Sequence, residues 1–375
     1  MIDRSFGGRA YAPIMPVQLS SHYTRERAST LNGTRTTHPA TSPEQVQKTL
    51  RSSIHPARKM DHRRAQQQQQ GAAAPEPEET TMEVDSLPLE TRCPPFPLRQ
   101  YKGFWIPELT LRRGVPGFRS RFTPRPTDII LASFPKSGTT WLKALAFATL
   151  RRAAHPPSFA DHPLRRANPH DIVRFVETDF ARAESADELG DDLEALPSPR
   201  LLATHLPHSL LPQRVRAMCK IVSVSREPKD ALVSWWNFVR KAAPAFGGDA
   251  AAFTFEEAFD LFCDGRCVYG PAWMYTLDYS EAGRRRPGNV LFLRYEKMLL
   301  QPRDELKSFD KLKNMEVNRN GTGKGKLPVE NADFFRKGVA GDWRNHMTPE
   351  MAQRLDKIVQ DALQGSGFSF NDDSA

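Results

Sequence analysis

The sequence predicts an α/β fold, a single domain with a central parallel sheet flanked by helices, and three observations carry that expectation. Short apolar runs of strand length alternate with longer amphipathic stretches along most of the 375 residues. Two of those runs, 128–134 (DIILASF) and 220–225 (KIVSVS), each pass through a four-residue turn into helix-like text at 139–152 and 230–241. No stretch approaches the ~20 apolar residues that cross a bilayer, since even 141–150 is broken by Lys143. No membrane partner is therefore expected.

Residues 1–85 read as a disordered N-terminal extension. The first 59 hold nine Lys/Arg against three Asp/Glu, and the run Gln66–Gln70 and the Ala/Pro/Glu text over 71–79 follow. Such composition cannot bury enough apolar surface to offset chain entropy. The same acid-poor text is of the kind found in transit peptides, but no clear amphipathic helix accompanies it. Cytoplasm is the expected location, with organelle targeting by residues 1–59 as the alternative, and Met60 would open a more conventional chain. The formal net charge of +9 lies mostly in this leader, because the other 316 residues hold 44 Lys/Arg against 41 Asp/Glu. A polyanion such as nucleic acid is not the expected partner. Four scattered cysteines argue against a disulfide scaffold, and Cys263 with Cys267 lacks the second pair that a zinc site needs.

A domain over 86–375 follows. Its predicted strands are 128–134, 200–204, 220–225 and 289–294. Thr254 to Glu257 has the pattern of a capping box, and Thr348-Pro349-Glu350 opens a last helix with Met351, Leu355, Ile358 and Val359 on one face. In such a fold ligands bind where the strands end at their carboxyl side.

The chemistry-bearing residues fall at those ends. The turn 135–141 (PKSGTTW) combines Gly138, which lets backbone approach a ligand, with Lys136 and the hydroxyls of Ser137, Thr139 and Thr140 at a helix start. That is an anion cradle of phosphate or sulfate type, although a serine and threonines capping the next helix would read the same way. It lacks the glycine–lysine order of a Walker A loop. Arg226 ends the second strand, where its fork suits phosphate oxygens. Asp230, Ser234, Asn237 and Lys241 form a polar stripe on the helix behind it, by default a solvated face. Arg336, Lys337 and Gly338 lie in a basic, glycine-bearing loop that is either a phosphate lid or an ordinary surface loop. His205 ends the 200–204 strand and is a candidate general base near its unperturbed pKa, with His170 competing for the role. No carboxylate cluster points to a metal.

Taken together, PKSGTTW after a strand, THLP, SREPKDALVSWWNF, LRYEKM and RKGVAGDW, in that order, resemble the plant branch of the cytosolic sulfotransferases. The resemblance runs from about 89 to 370 and implies a P-loop-like nucleotide-binding fold that uses 3′-phosphoadenylyl sulfate (PAPS) and no metal. By that resemblance Lys136, Ser137, Gly138, Thr139, Thr140 and Trp141 would hold the 5′-phosphosulfate. Arg226, Ser234, Arg336, Lys337 and Gly338 would hold the 3′-phosphate. Tyr295 and Trp141 would meet the adenine side, Ser308 and Phe309 would touch the nucleotide, and His205 with Lys136 would be catalytic. The implied acceptor is a hydroxyl of a small molecule such as a flavonol, hydroxyjasmonate or steroid. One departure stands out: the family normally has about thirty more residues before the segment matching Ser308, so the chain reads as internally shortened near 305–308. The alternative it raises is a PAPS-binding or PAP-binding relative that is catalytically impaired.

Overall fold

The structure is a computed structural model that describes residues 83–156, 158–246, 249, 251–300, 312–320 and 330–370. The expected disordered extension, apart from 83–85, and the expectations for Ser308, Phe309 and the 305–308 junction lie outside the described residues.

The chain enters through an antiparallel sheet absent from the sequence reading: β1 (Leu89–Glu90), β2 (Leu98–Tyr101) and β3 (Phe104–Pro107). Lys102 and Gly103 turn β2 into β3 with positive φ at both positions, the conformation that a two-residue hairpin loop requires. The helix α1 (Val115–Arg121) leads to β4 (Ile129–Ser133), and α2 (Thr139–Leu150) follows the PKSG turn. Three helices, α3 (Pro169–Ile172), α4 (Val176–Arg182) and α5 (Ala186–Ala195), precede β5 (Leu201–Thr204). Then come α6 (Gln213–Met218), β6 (Lys220–Ser225), α7 (Pro228–Ala242), α8 (Phe255–Cys263), α9 (Ala272–Arg285) and β7 (Val290–Arg294). The described chain closes with α10 (Tyr295–Leu299), α11 (Glu316–Asn320) and α12 (Pro349–Leu363).

Strands β4 to β7 form one parallel sheet in the order β5-β4-β6-β7. Its central strands are mostly apolar because both faces are covered. Ile130 and Ala132 of β4 pack into one core with Leu232 and Trp235 of α7 and Phe262 of α8, while Leu131 points the other way onto Trp141, Leu142 and Ala144 of α2. The α/β fold with helices on both faces is thus as the sequence predicts. Both predicted helix starts are also present: Thr254 and Glu257 form a reciprocal capping box on α8, and the Thr348 hydroxyl accepts from the Met351 amide on α12.

At the amino end of the sheet a fully buried pair, Arg200 to Asp128 at 2.5 Å, ties β5 to β4. Arg200 also donates to the carbonyls of Leu193 and Thr123, so the desolvated guanidinium has its donors satisfied. The predicted site residues lie at the carboxyl end. The chain leaves β4 for β5 on one side and returns to β6 on the other, which opens a crevice where the strand order reverses.

Candidate active site

Each parallel strand delivers one predicted residue to that crevice: β4 the PKSG turn, β5 His205, β6 Arg226 and β7 Tyr295. They line a single cavity of about 510 Å³ together with Thr139, Thr140, Trp141, Ser234, Arg336 and Gly338. Two predicted residues do not line it. Ser137 is buried in the turn, its amide donating to Phe134 O at 3.1 Å, and Lys337 is half exposed and paired to Asp342 at 2.7 Å.

The turn is shaped for close approach. Gly138 has φ +107°, and a Cβ there would lie 2.7 Å from the Tyr295 ring, so only glycine lets the helix start sit against that ring. Lys136 also adopts positive φ, +65°, a conformation costing about 1 kcal/mol for a residue with a Cβ. Its Nζ lies 4.1 Å over the Phe238 ring and donates to Asp333 O at 3.5 Å. Burial lowers its pKa to about 7; Asp333 opposes the shift, and Arg226, Arg336 and Lys241 add to it.

The two arginines are held in place with donors to spare. Arg226 donates to Lys136 O at 3.2 Å and Val339 O at 3.1 Å and lies over the Tyr295 ring at 4.7 Å, yet its Nε is buried without a partner among the described residues. Arg336 pairs with Asp342 through Nη1, while its Nε and Nη2 are likewise buried and unpartnered. Buried donors without acceptors are costly unless a ligand satisfies them. Asp230 and Ser234 are buried, which corrects their reading as a solvated stripe; Lys241 alone of that stripe is exposed. The physical reason is the loop that follows: the Asp230 carboxylate accepts from the amides of Gly341 at 2.6 Å and Trp343 at 3.0 Å and so docks the RKG segment onto α7.

At the middle of the cavity, His205 Nδ1 lies 2.7 Å from Ser133 O. A carbonyl only accepts, so Nδ1 carries the proton and Nε2 keeps its lone pair. Burial lowers the pKa to about 3, with Lys143 and Lys136 adding to the shift and the Ser133 bond opposing it, which departs from the near-unperturbed value expected. Phe175 and Tyr269 close over the ring at 4.4 and 5.5 Å. The imidazole is neutral at pH 7.

His170, the competing histidine, has both nitrogens engaged. Lys143 Nζ, fully buried, donates to Val173 O at 2.8 Å and approaches His170 Nδ1 at 3.2 Å, and His170 Nε2 meets Thr140 Oγ1 at 2.9 Å. With Nδ1 accepting from Lys143, Nε2–H donates to Thr140, leaving the threonine hydroxyl free to donate into the cavity. The sequence reading did not find Lys143 or Glu177. Glu177 Oε1 accepts from the His205 amide at 2.7 Å, its Oε2 is buried without a hydrogen-bond partner among the described residues, and burial raises its pKa to about 7. A carboxylate directly after the apolar pair Phe175-Val176 and a lysine inside an apolar helix were the available signals. Among the described residues no His, Cys, Asp and Glu group could hold a metal ion.

A sulfotransferase domain profile matches residues 126–308 and 305–367. This chain belongs to the sulfotransferase family. It is 38% identical to cytosolic sulfotransferase 5 of Arabidopsis thaliana over 322 residues, covering 78% of this chain and 97% of that one. Cytosolic sulfotransferase 12 of the same plant is 38% identical over 321 residues, covering 78% and 94%. Among solved structures, an Arabidopsis thaliana putative steroid sulphotransferase superposes with TM-score 0.57 at 33% identity, over 76% of this chain and 93% of that one. A mouse sulfotransferase complexed with PAP superposes with TM-score 0.55 at 26% identity, over 72% and 95%. No described helix of this sulfotransferase is long and apolar enough to cross a membrane.

Proposed function

We propose that the protein transfers the sulfuryl group of PAPS to a hydroxyl of a small acceptor. The observation that carries this reading is the meeting, in one cavity, of two arginines with buried unsatisfied donors and a neutral histidine with its Nε2 lone pair free. PAPS, when bound, supplies an activated sulfuryl group on a nucleotide phosphate. The residues fit it: the orphaned Arg226 and Arg336 donors call for an anion, and Gly138 leaves the helix start open to one. Lys136, Ser137, Gly138, Thr139, Thr140 and Trp141 would hold the phosphosulfate, Arg226, Ser234, Arg336, Lys337 and Gly338 the 3′-phosphate, and Tyr295 with Trp141 the adenine side.

Transfer of this kind rests on positioning and on fixed positive charge where negative charge develops. Lys136 is the cation that offsets charge at the leaving oxygen. His205 Nε2 takes the hydroxyl proton, Ser133 O holds the ring in the required tautomer, and Glu177 fixes the backbone of His205. An anion bound beside Lys136 weakens the repulsion that depresses the His205 pKa, which makes the base stronger when donor is present.

Labelled PAPS with a panel of hydroxylated acceptors tests the reading. His205→Ala is expected to reduce transfer by about 10²–10⁴-fold while keeping the rise in melting temperature that PAP gives. Turnover unchanged in that variant would sink the catalytic role. The profile matches in two segments that overlap at 305–308, which supports an internal shortening there. That favours a second reading, nucleotide binding with catalysis impaired, and a PAP-stabilised protein that transfers nothing would select it.

A further inference from the structure

The acceptor half of the cavity holds a cation that the donor does not account for. Arg182 closes α4 and lines the cavity with Thr178, Ala181 and Tyr269. Its neighbour Arg174 is neutralised by Asp179, Nε to Oδ2 at 2.5 Å. Arg182 itself is half-buried and has no hydrogen-bond or ion-pair partner among the described residues. Burial lowers its pKa against the pull of Asp179 and Tyr269, yet a guanidinium stays charged at pH 7. A charge partly withdrawn from water whose fork meets no acceptor among the described residues is unfavourable, and a carboxylate matches that fork.

The rest of this half is apolar, with Pro94, Phe96, Leu109 and Val268 in its wall. Glu177, which holds the His205 amide, and Arg182 both belong to α4, so the helix that braces the candidate base also carries this cation.

We propose that the acceptor is a hydroxylated carboxylic acid, with its carboxylate on Arg182, its hydroxyl at His205 and an apolar body between. This rests on the transferase reading only in placing the hydroxyl at His205. In the transfer the acceptor oxygen bonds to sulfur as the sulfur–oxygen bond to the nucleotide breaks; the hydroxyl proton goes to His205 Nε2 and the electron pair leaves with PAP. The carboxylate stays unchanged and serves as the handle.

The test compares 4-hydroxycinnamate and ω-hydroxyoctanoate with their methyl esters, by calorimetric binding to the PAP-loaded protein and by kcat/KM with PAPS. Each acid is expected to exceed its ester by about tenfold or more. Arg182→Met should erase that ratio and Arg182→Lys retain part of it, with the PAP-induced rise in melting temperature unchanged in both. Esters equal to or better than the acids, a ratio that survives in Arg182→Met, or PAP binding with no binding of either acid would overturn the proposal. Binding of the acids without any binding of PAP would leave the anion handle standing and sink the donor reading instead.

Discussion

Titration of Lys136 tests how the PKSG turn grips an anion. Its ammonium faces the Phe238 ring and a carbonyl, and burial brings its pKa down to about 7 from 10.5. A bound nucleotide anion favours the charged form and raises that pKa again, so binding takes up a proton. With a pKa of about 7, roughly half of the free protein carries the charge at pH 7 and about one hundredth at pH 9. The Kd for PAP should therefore weaken about 50-fold between those pH values, approaching ~1.4 kcal/mol per pH unit. Isothermal calorimetry in buffers of different ionisation enthalpy measures both the Kd and the proton uptake, which should approach about one proton from this lysine above pH 8. Lys136→Met should bind with a flat profile over the same range. A flat wild-type profile, or a slope that persists in Lys136→Met, would refute the reasoning. The same residue links stability to pH. The unfolded chain binds more protons between about 7 and 10.5, so this group's contribution to stability rises with pH across that window. Lys136→Met should melt higher than wild type at pH 7, with the gap closing toward pH 10.

Gly138→Ala puts a methyl against the Tyr295 ring at a position with φ +107°; it should weaken PAP binding at least about tenfold and lower the melting temperature, as a paired calorimetric and thermal-melt experiment would read. Asp230→Ala removes the acceptor of the Gly341 and Trp343 amides and should cost about 1–3 kcal/mol in urea unfolding, together with a loss of PAP affinity through the loop that carries Arg336. His170→Asn breaks the contacts to Thr140 and Lys143; the Kd for PAP should rise several-fold while the pH profile of kcat stays as it was if, as proposed, the base is His205, and a profile that moves would point to His170 instead. Burial raises the thiols of Cys93 and Cys219 to about 12 and Cys263 to about 11, and Cys267 higher still than its usual value; native protein at pH 8 should thus react with Ellman's reagent far more slowly than protein in denaturant.

Strand and helix text at β4–α2 and β6–α7 was legible because the two-sided burial of a parallel strand leaves a short, mostly apolar run, and because the turn between is short. The small sheet β1–β3 was not, since strands of two and four residues carry too little pattern to separate from loop text. In the site, residues that sit at strand ends, Lys136, His205, Arg226 and Tyr295, could be placed from the topology alone. Glu177, Lys143 and Arg182 could not. Their roles depend on α2 and α4 facing the same crevice, and helix periodicity says which side of a helix is apolar without saying what lies opposite.

The sequence by itself determined the fold class, the family resemblance and the cations Lys136, Arg226 and Arg336 that line one cavity, because those are properties of local runs and short motifs. Only the tertiary structure decided their surroundings. It lowered Lys136 and His205 by burying them, pinned the His205 proton on Nδ1, and engaged both nitrogens of His170. It also turned Asp230 from a solvated residue into the anchor of the RKG loop and placed Arg182 on the cavity wall without a hydrogen-bond partner among the described residues. The reason in each case is the same: protonation state and pairing depend on which groups, distant along the chain, exclude water from one another, and that neighbourhood is set by packing alone.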